Sequence, residues 1–149
     1  MKKNILIYLL GVSVFFNIIF VKTHTKLSEQ QPASQSQTTN QDWNTFIKAL
    51  AWVESEWNPE AIGQTEDVGY LQITPIIILD ANRIVGSNKY SLDDRKDINK
   101  SIEIFNVIMD NYNPTHDLNY SLKIWNPKAP VSYHRKVMTK YNELITSNI

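Results

Sequence analysis

Apolar positions follow three regimes along this chain. From Ile5 to Val21 they run almost unbroken, softened by Gly11, Ser13 and Asn17 and flanked by Lys2, Lys3 and Lys22. From about Thr23 to Gln41 they nearly vanish, and Gln, Ser and Thr dominate around Pro32. From Asp42 onward they return at helical spacing. Trp43, Ile47, Leu50 and Glu54 fall on one helix face, with Asp42 as the expected N-cap and Asn58-Pro59 as the stop. Thr74-Pro75 predicts a helix start, and Gly86 its end. Ile76-Ile77-Ile78 in between is also strand-like. Ile98, Ile102, Phe105, Met109 and Tyr112 predict a third helix ending at Asn113-Pro114. Two more follow, at about 117–125 and 131–146. No clean alternation supports a large sheet, so the domain is expected to be mostly α.

The first run reaches the roughly 17 to 25 residues that a spanning helix needs. No small-x-small cleavage site follows it, which favours an uncleaved signal anchor over a removed signal peptide. The expected organisation is a membrane helix at 1–22, a flexible polar linker at 23–41 and one domain at 42–149. The linker lacks the apolar side chains that would offset the entropy of ordering it. Its reach as a coil is on the order of 25 Å. The domain is therefore expected outside the cytoplasm, on the periplasmic or cell-wall side and close to the membrane, or secreted if the anchor is cleaved.

Composition narrows the chemistry. With 15 Lys+Arg against 15 Asp+Glu there is no basic excess of the kind nucleic-acid binders show, so no nucleic-acid partner is expected. The absence of cysteine excludes disulfides, thiolate catalysis and cysteine-ligated zinc. His24, His116 and His134 form no metal-ligand spacing, so neither metal nor cofactor is expected. Arg135, Lys136 and Lys140 form either a solvated helix face or an attraction for anionic wall polymer.

Glu54 is the residue out of place. It shares a face with Trp43, Ile47 and Leu50, one turn past Leu50 and near a helix C-terminus. Burial and the negative end of the helix dipole both favour its protonated form. A carboxylic acid that keeps its proton near neutral pH is what general-acid cleavage of a glycosidic bond needs. A glutamate in a terminal turn can also curl back to solvent, so periodicity alone leaves both roles open.

The order Glu54-Ser55, Trp57-Asn58-Pro59, Ala61, Gly69-Tyr70-Leu71-Gln72-Ile73 and Pro75 resembles the soluble lytic transglycosylase (SLT) family of the lysozyme superfamily. The resemblance is close from about Trp43 to Ile84 and looser beyond. It implies a lysozyme-like helical domain acting on peptidoglycan glycan strands. The bond cut would be the β-1,4 link between N-acetylmuramic acid and N-acetylglucosamine. Glu54 would be acid and then base. Ser55 would orient it or touch the sugar. Gly69, Tyr70 and Gln72 would line the cleft, with the Gln72 amide bonding the sugar. The family's later aromatic-Asn-Gly stretch has its counterpart in Trp125-Asn126, here followed by Pro127, which suggests an altered cleft wall. Trp57, Tyr70, Trp125 and Tyr133 could stack on sugar rings; for Tyr133 packing in the core is an equal reading.

Most glycosidases use two carboxylates. Among Glu56, Glu60, Glu66 and Asp67, Asp67 is the best placed, because it abuts Gly69. A hydrolytic lysozyme relying on Asp67 therefore stays open beside the transglycosylase, which needs one carboxylate. So does a glycan-binding scaffold without turnover. Wall opening for a secretion or conjugation machine, or wall remodelling, would be the setting.

Overall fold

The computed structural model describes residues 39–147. The expected membrane helix and most of the linker lie outside the described residues, among which no helix is long and apolar enough to cross a membrane. The described residues form five α-helices: α1 (Asn40–Ser55), α2 (Pro75–Val85), α3 (Ile98–Tyr112), α4 (Leu118–Trp125) and α5 (Val131–Ser147). A 3₁₀ turn spans Asp93–Lys96. Pairing between extended residues is limited, among the described residues, to isolated antiparallel bridges of Val68 with Ile62 and with Ile73. The domain is mostly α, as the spacing predicts.

α1 begins three residues before the expected start. Its N-cap is Thr39, and Asp42 occupies the third helical position instead of the cap. The two form a capping box: Thr39 Oγ1 accepts from the Asp42 amide at 3.2 Å and donates to Asp42 Oδ2 at 2.6 Å. Either short polar side chain could have capped the helix; Thr39 does because Asp42 can then reach back to it.

The strand-like Ile76-Ile77-Ile78 is helical. Thr74 is extended and Pro75 takes the first helical position, where a missing N–H costs nothing. α2 then buries Ile78 and Ala81 and leaves Ile76 and Leu79 exposed. α3 stops at Asn113, whose buried amide donates to Asp117 O and Ser121 Oγ, both at 2.9 Å. That fixes the corner into α4, which Asp117 caps.

α1 packs most extensively against α5, and α2 against α3. Phe46, Leu50, Leu71, Ile104, Phe105, Met109, Leu122 and Val137 are wholly buried where these elements meet. The pairing of the first helix with the last brings the C-terminal turn of α1 against the start of α5.

Candidate active site

Glu54 lies in the last turn of α1, where the core face of the helix runs out. It is partly buried, and across the helix pair the Tyr133 hydroxyl of α5 donates to its Oε1 in a short hydrogen bond. Burial lifts the carboxyl from 4.5 to about 7; the Tyr133 bond opposes this, and the charge of Asp67 adds to it. The net rise means that desolvation outweighs the hydrogen bond. At a pKa of about 7, roughly half of the molecules hold the proton at pH 7. The group can therefore give a proton away and take one back in the same pH range. Tyr133 itself is pushed well above the ordinary phenol value by burial and by the facing carboxylate, so it remains a donor.

The chain leaves α1 through two residues with positive φ, Glu56 at 52° and Trp57 at 66°. It then folds into a tight loop facing the helix end. Val68 and Ile73 exchange backbone hydrogen bonds at 3.1 and 2.9 Å, and Gly69 N donates to Ala61 O at 2.8 Å. Gly69 has φ +86°, and a Cβ there would sit 1.8 Å from Arg95 O. Only glycine fits that approach. Ser55 Oγ lies 2.8 Å from Tyr70 O and 3.1 Å from Ala51 O. Its hydroxyl thus ties the residue beside Glu54 to the loop.

Gln72 also has a positive φ, 50°, a conformation costing on the order of 1 kcal/mol in a non-glycine residue. Its side chain compensates: Nε2 donates to Gly69 O at 2.9 Å and to Ala61 O at 3.2 Å. Both amide protons serve the loop, so the side-chain oxygen is the group of Gln72 that remains to accept from elsewhere. Tyr70 is buried, and burial raises its hydroxyl pKa.

Trp125 is only 8% exposed, with its ring 4.9 Å from Phe105 in an edge-on contact. It packs in the core. Asn126 ends α4, and its carbonyl accepts from Ala129 N at 3.0 Å. This turn leads directly into α5 and sets where its first turn, with Tyr133, arrives. The Trp-Asn-Pro stretch thus shapes the site through Tyr133. Trp57 is 42% exposed and donates from its indole to Lys48 O at 2.8 Å.

Of the carboxylates near the loop, Glu60 pairs with Lys96 at 2.6 Å on the surface, and Glu56 and Glu66 are exposed. Asp67 differs. Thr65 donates to its Oδ1 from both N (2.9 Å) and Oγ1 (2.8 Å). Burial pushes its carboxyl up, but these bonds and its own amide outweigh that and hold it below the usual carboxylate value. Glu54 and Asp67 are thus displaced in opposite directions. Among the described residues no cluster of His, Asp or Glu could hold a metal ion.

Two roles carry no local signal in the sequence. Tyr133 stands 79 residues from Glu54, and only the α1–α5 pairing unites them. Arg95 reaches from the 3₁₀ turn to Glu66 O (2.8 Å) and Ile73 O (3.3 Å), which braces the loop from below.

The family model of the transglycosylase SLT domain matches residues 31–143. No curated protein and no solved structure matches the chain. The family match takes in α1, the loop with Gly69 and Gln72, and most of α5. By that match over more than half of its length, the chain belongs to the transglycosylase SLT family, the lytic transglycosylases of lysozyme-like kind.

Proposed function

We propose that this chain is a membrane-tethered lytic transglycosylase. It cuts the β-1,4 bond between N-acetylmuramic acid and N-acetylglucosamine with Glu54 as its single acid/base. The observation that carries this reading is the Glu54 carboxyl, largely withdrawn from water at the end of α1 and held by the Tyr133 hydroxyl of α5, a setting that lifts its pKa to about 7. Glu54 protonates the glycosidic oxygen as the bond to the muramic acid C1 breaks. The substrate's own N-acetyl oxygen stabilises the cationic C1. The carboxylate left behind, favoured by the Tyr133 bond, then takes the proton of the C6 hydroxyl while O6 closes on C1. The product is a 1,6-anhydro ring, Glu54 is protonated again, and no water is consumed. The Gly69–Gln72 loop would hold the sugar, with Ser55 keeping loop and acid in register. The N-terminal apolar run would anchor the enzyme with the domain outside the cytoplasm, where it could open the wall for a secretion or conjugation machine.

A hydrolytic reading keeps one observation in its favour. Asp67 is held ionised, and its charge is felt at Glu54, as expected of carboxylates with divided roles. End-group analysis of digested glycan strands separates the two. Strands ending in 1,6-anhydromuramic acid, with Asp67→Asn still active, support the transglycosylase. Reducing ends that disappear in Asp67→Asn support the hydrolase.

A further inference from the structure

The 3₁₀ turn before α3 meets the loop at Arg95, from two sides of that residue. The Arg95 carbonyl lies against Gly69, where a Cβ would come within 1.8 Å of it. The same oxygen accepts from the buried Ser101 hydroxyl of α3 at 2.8 Å. The half-buried side chain takes the other side. Its Nε donates to Leu92 O at 2.7 Å, which fixes the plane of the guanidinium. Nη1 is then shared between two loop carbonyls, Glu66 O at 2.8 Å and Ile73 O at 3.3 Å. Among the described residues this guanidinium meets backbone carbonyls and no carboxylate. The turn's other side-chain tie, Lys96 to Glu60, is an exposed pair and holds the loop weakly.

The two loop carbonyls stand at particular places. Glu66, Gly69 and Gln72 all have positive φ, at 62°, 86° and 50°. Glycine adopts such a φ freely, whereas Glu66 and Gln72 do so at a cost. One acceptor is the carbonyl of Glu66 itself. The other belongs to Ile73, directly after Gln72. Arg95 therefore holds the backbone at both strained residues, and the segment between them carries Asp67 and Gly69. Strain of this kind persists only where surrounding contacts over-determine the backbone. The Gln72 amide supplies two such contacts from within the loop, and Arg95 supplies the clip from outside it.

We propose that Arg95 is a positioning residue for the glycan: it keeps the Gly69–Gln72 segment in its sugar-accepting form and acts on the substrate only through that segment. This rests on the transglycosylase reading. A loop released from its clip spends part of its time relaxed, and apparent affinity falls by the fraction that stays competent. Glu54 and Tyr133 lie on α1 and α5, outside the loop, so the chemical step is unchanged once the sugar is bound. Charge alone does not suffice. Lysine keeps the charge, but its compact ammonium lacks the planar fork that holds Leu92 O while bridging two further carbonyls.

The test uses the full chain in detergent, soluble glycan strands, and the variants R95K and R95K/E66G. R95K should raise KM about tenfold with kcat little changed. A general loss of stability would instead lower the active fraction, and with it kcat. Glu66 is exposed, and Glu66→Gly removes the side chain that makes its left-handed backbone costly. The double variant should therefore recover most of the KM. Hydrogen exchange followed by mass spectrometry reads the loop without turnover. The amides of Val68, Gly69, Gln72 and Ile73, all bonded within the loop, should exchange faster in R95K and return toward wild type in the double variant. An unchanged KM, a fall in kcat alone, unaltered exchange in R95K, or a double variant no better than R95K would overturn the proposal. If no protein cuts the strands, the transglycosylase reading falls instead. Exchange and strand binding, about tenfold weaker in R95K, would then still decide the role of Arg95.

Discussion

Replacing Glu54 by glutamine should stabilise the protein at alkaline pH and do little in acid. The folded chain keeps the Glu54 proton up to about pH 7, whereas an unperturbed glutamate releases it near 4.5. Folding therefore takes up a proton between these values. The folded state is favoured fully below about 4.5 and loses that advantage as pH rises through 7. A displacement from 4.5 to about 7 corresponds to about 3 kcal/mol at roughly 1.4 kcal/mol per pH unit. Glutamine is neutral at every pH and can still accept from Tyr133, so it removes this cost and little else. The stability difference between variant and wild type should grow by about 3 kcal/mol from pH 4.5 to pH 8. In a domain of this size that is a relative rise in Tm on the order of 10 °C. Thermal unfolding of both proteins across that range measures it. A difference that stays constant with pH would mean that Glu54 titrates like a surface carboxylate, and the acid role would lose its physical basis.

Three further substitutions probe the supports of the site. Tyr133→Phe removes a bond that favours the ionised carboxylate; hydrogen bonds to charged groups contribute about 1.5–3 kcal/mol. The Glu54 pKa should rise further, the alkaline limb of the rate profile should move up, and cleavage should slow by roughly tenfold or more; an unmoved pH profile would contradict the contact. Gly69→Ala places a Cβ against Arg95 O and should lower the denaturation midpoint by the equivalent of at least about 1–3 kcal/mol, with unchanged stability as the refuting result. Trp125→Ala should cost about 3–5 kcal/mol of stability; a large rise in KM with stability intact would instead place that ring against the sugar.

Much of the fold was legible because its boundaries rest on backbone chemistry. Thr74-Pro75, Gly86 and Asn113-Pro114 restrict φ, ψ and hydrogen bonding locally, and the helices start and stop there. The position of Glu54 was legible because a period of 3.6 residues sets it on the face of Trp43, Ile47 and Leu50. Partners distant in sequence were not. Periodicity says that α1 and α5 each have an apolar face, but not that these faces meet, so the sequence offers Tyr133 as a sugar platform or a core residue and not as the partner of Glu54. Arg95 sits in a polar 3₁₀ turn with no apolar pattern, and its role appears only where the chain brings it under the loop. Gln72 and Trp125 belong to recognisable segments, yet the segment alone does not say how an amide divides its protons or which way an indole turns. The N-cap was misplaced by three residues because Thr39 and Asp42 are both competent caps.

The central claim, that Glu54 is the acid/base of glycan cleavage, is tested most directly by digesting purified sacculi with the full chain and with Glu54→Gln. Release of soluble fragments is then followed by mass spectrometry. The account predicts fragments ending in 1,6-anhydromuramic acid from the wild type and none above background from the variant, although the variant is folded and still binds the strands. Comparable release by both proteins, or strand binding without products from either, would contradict it.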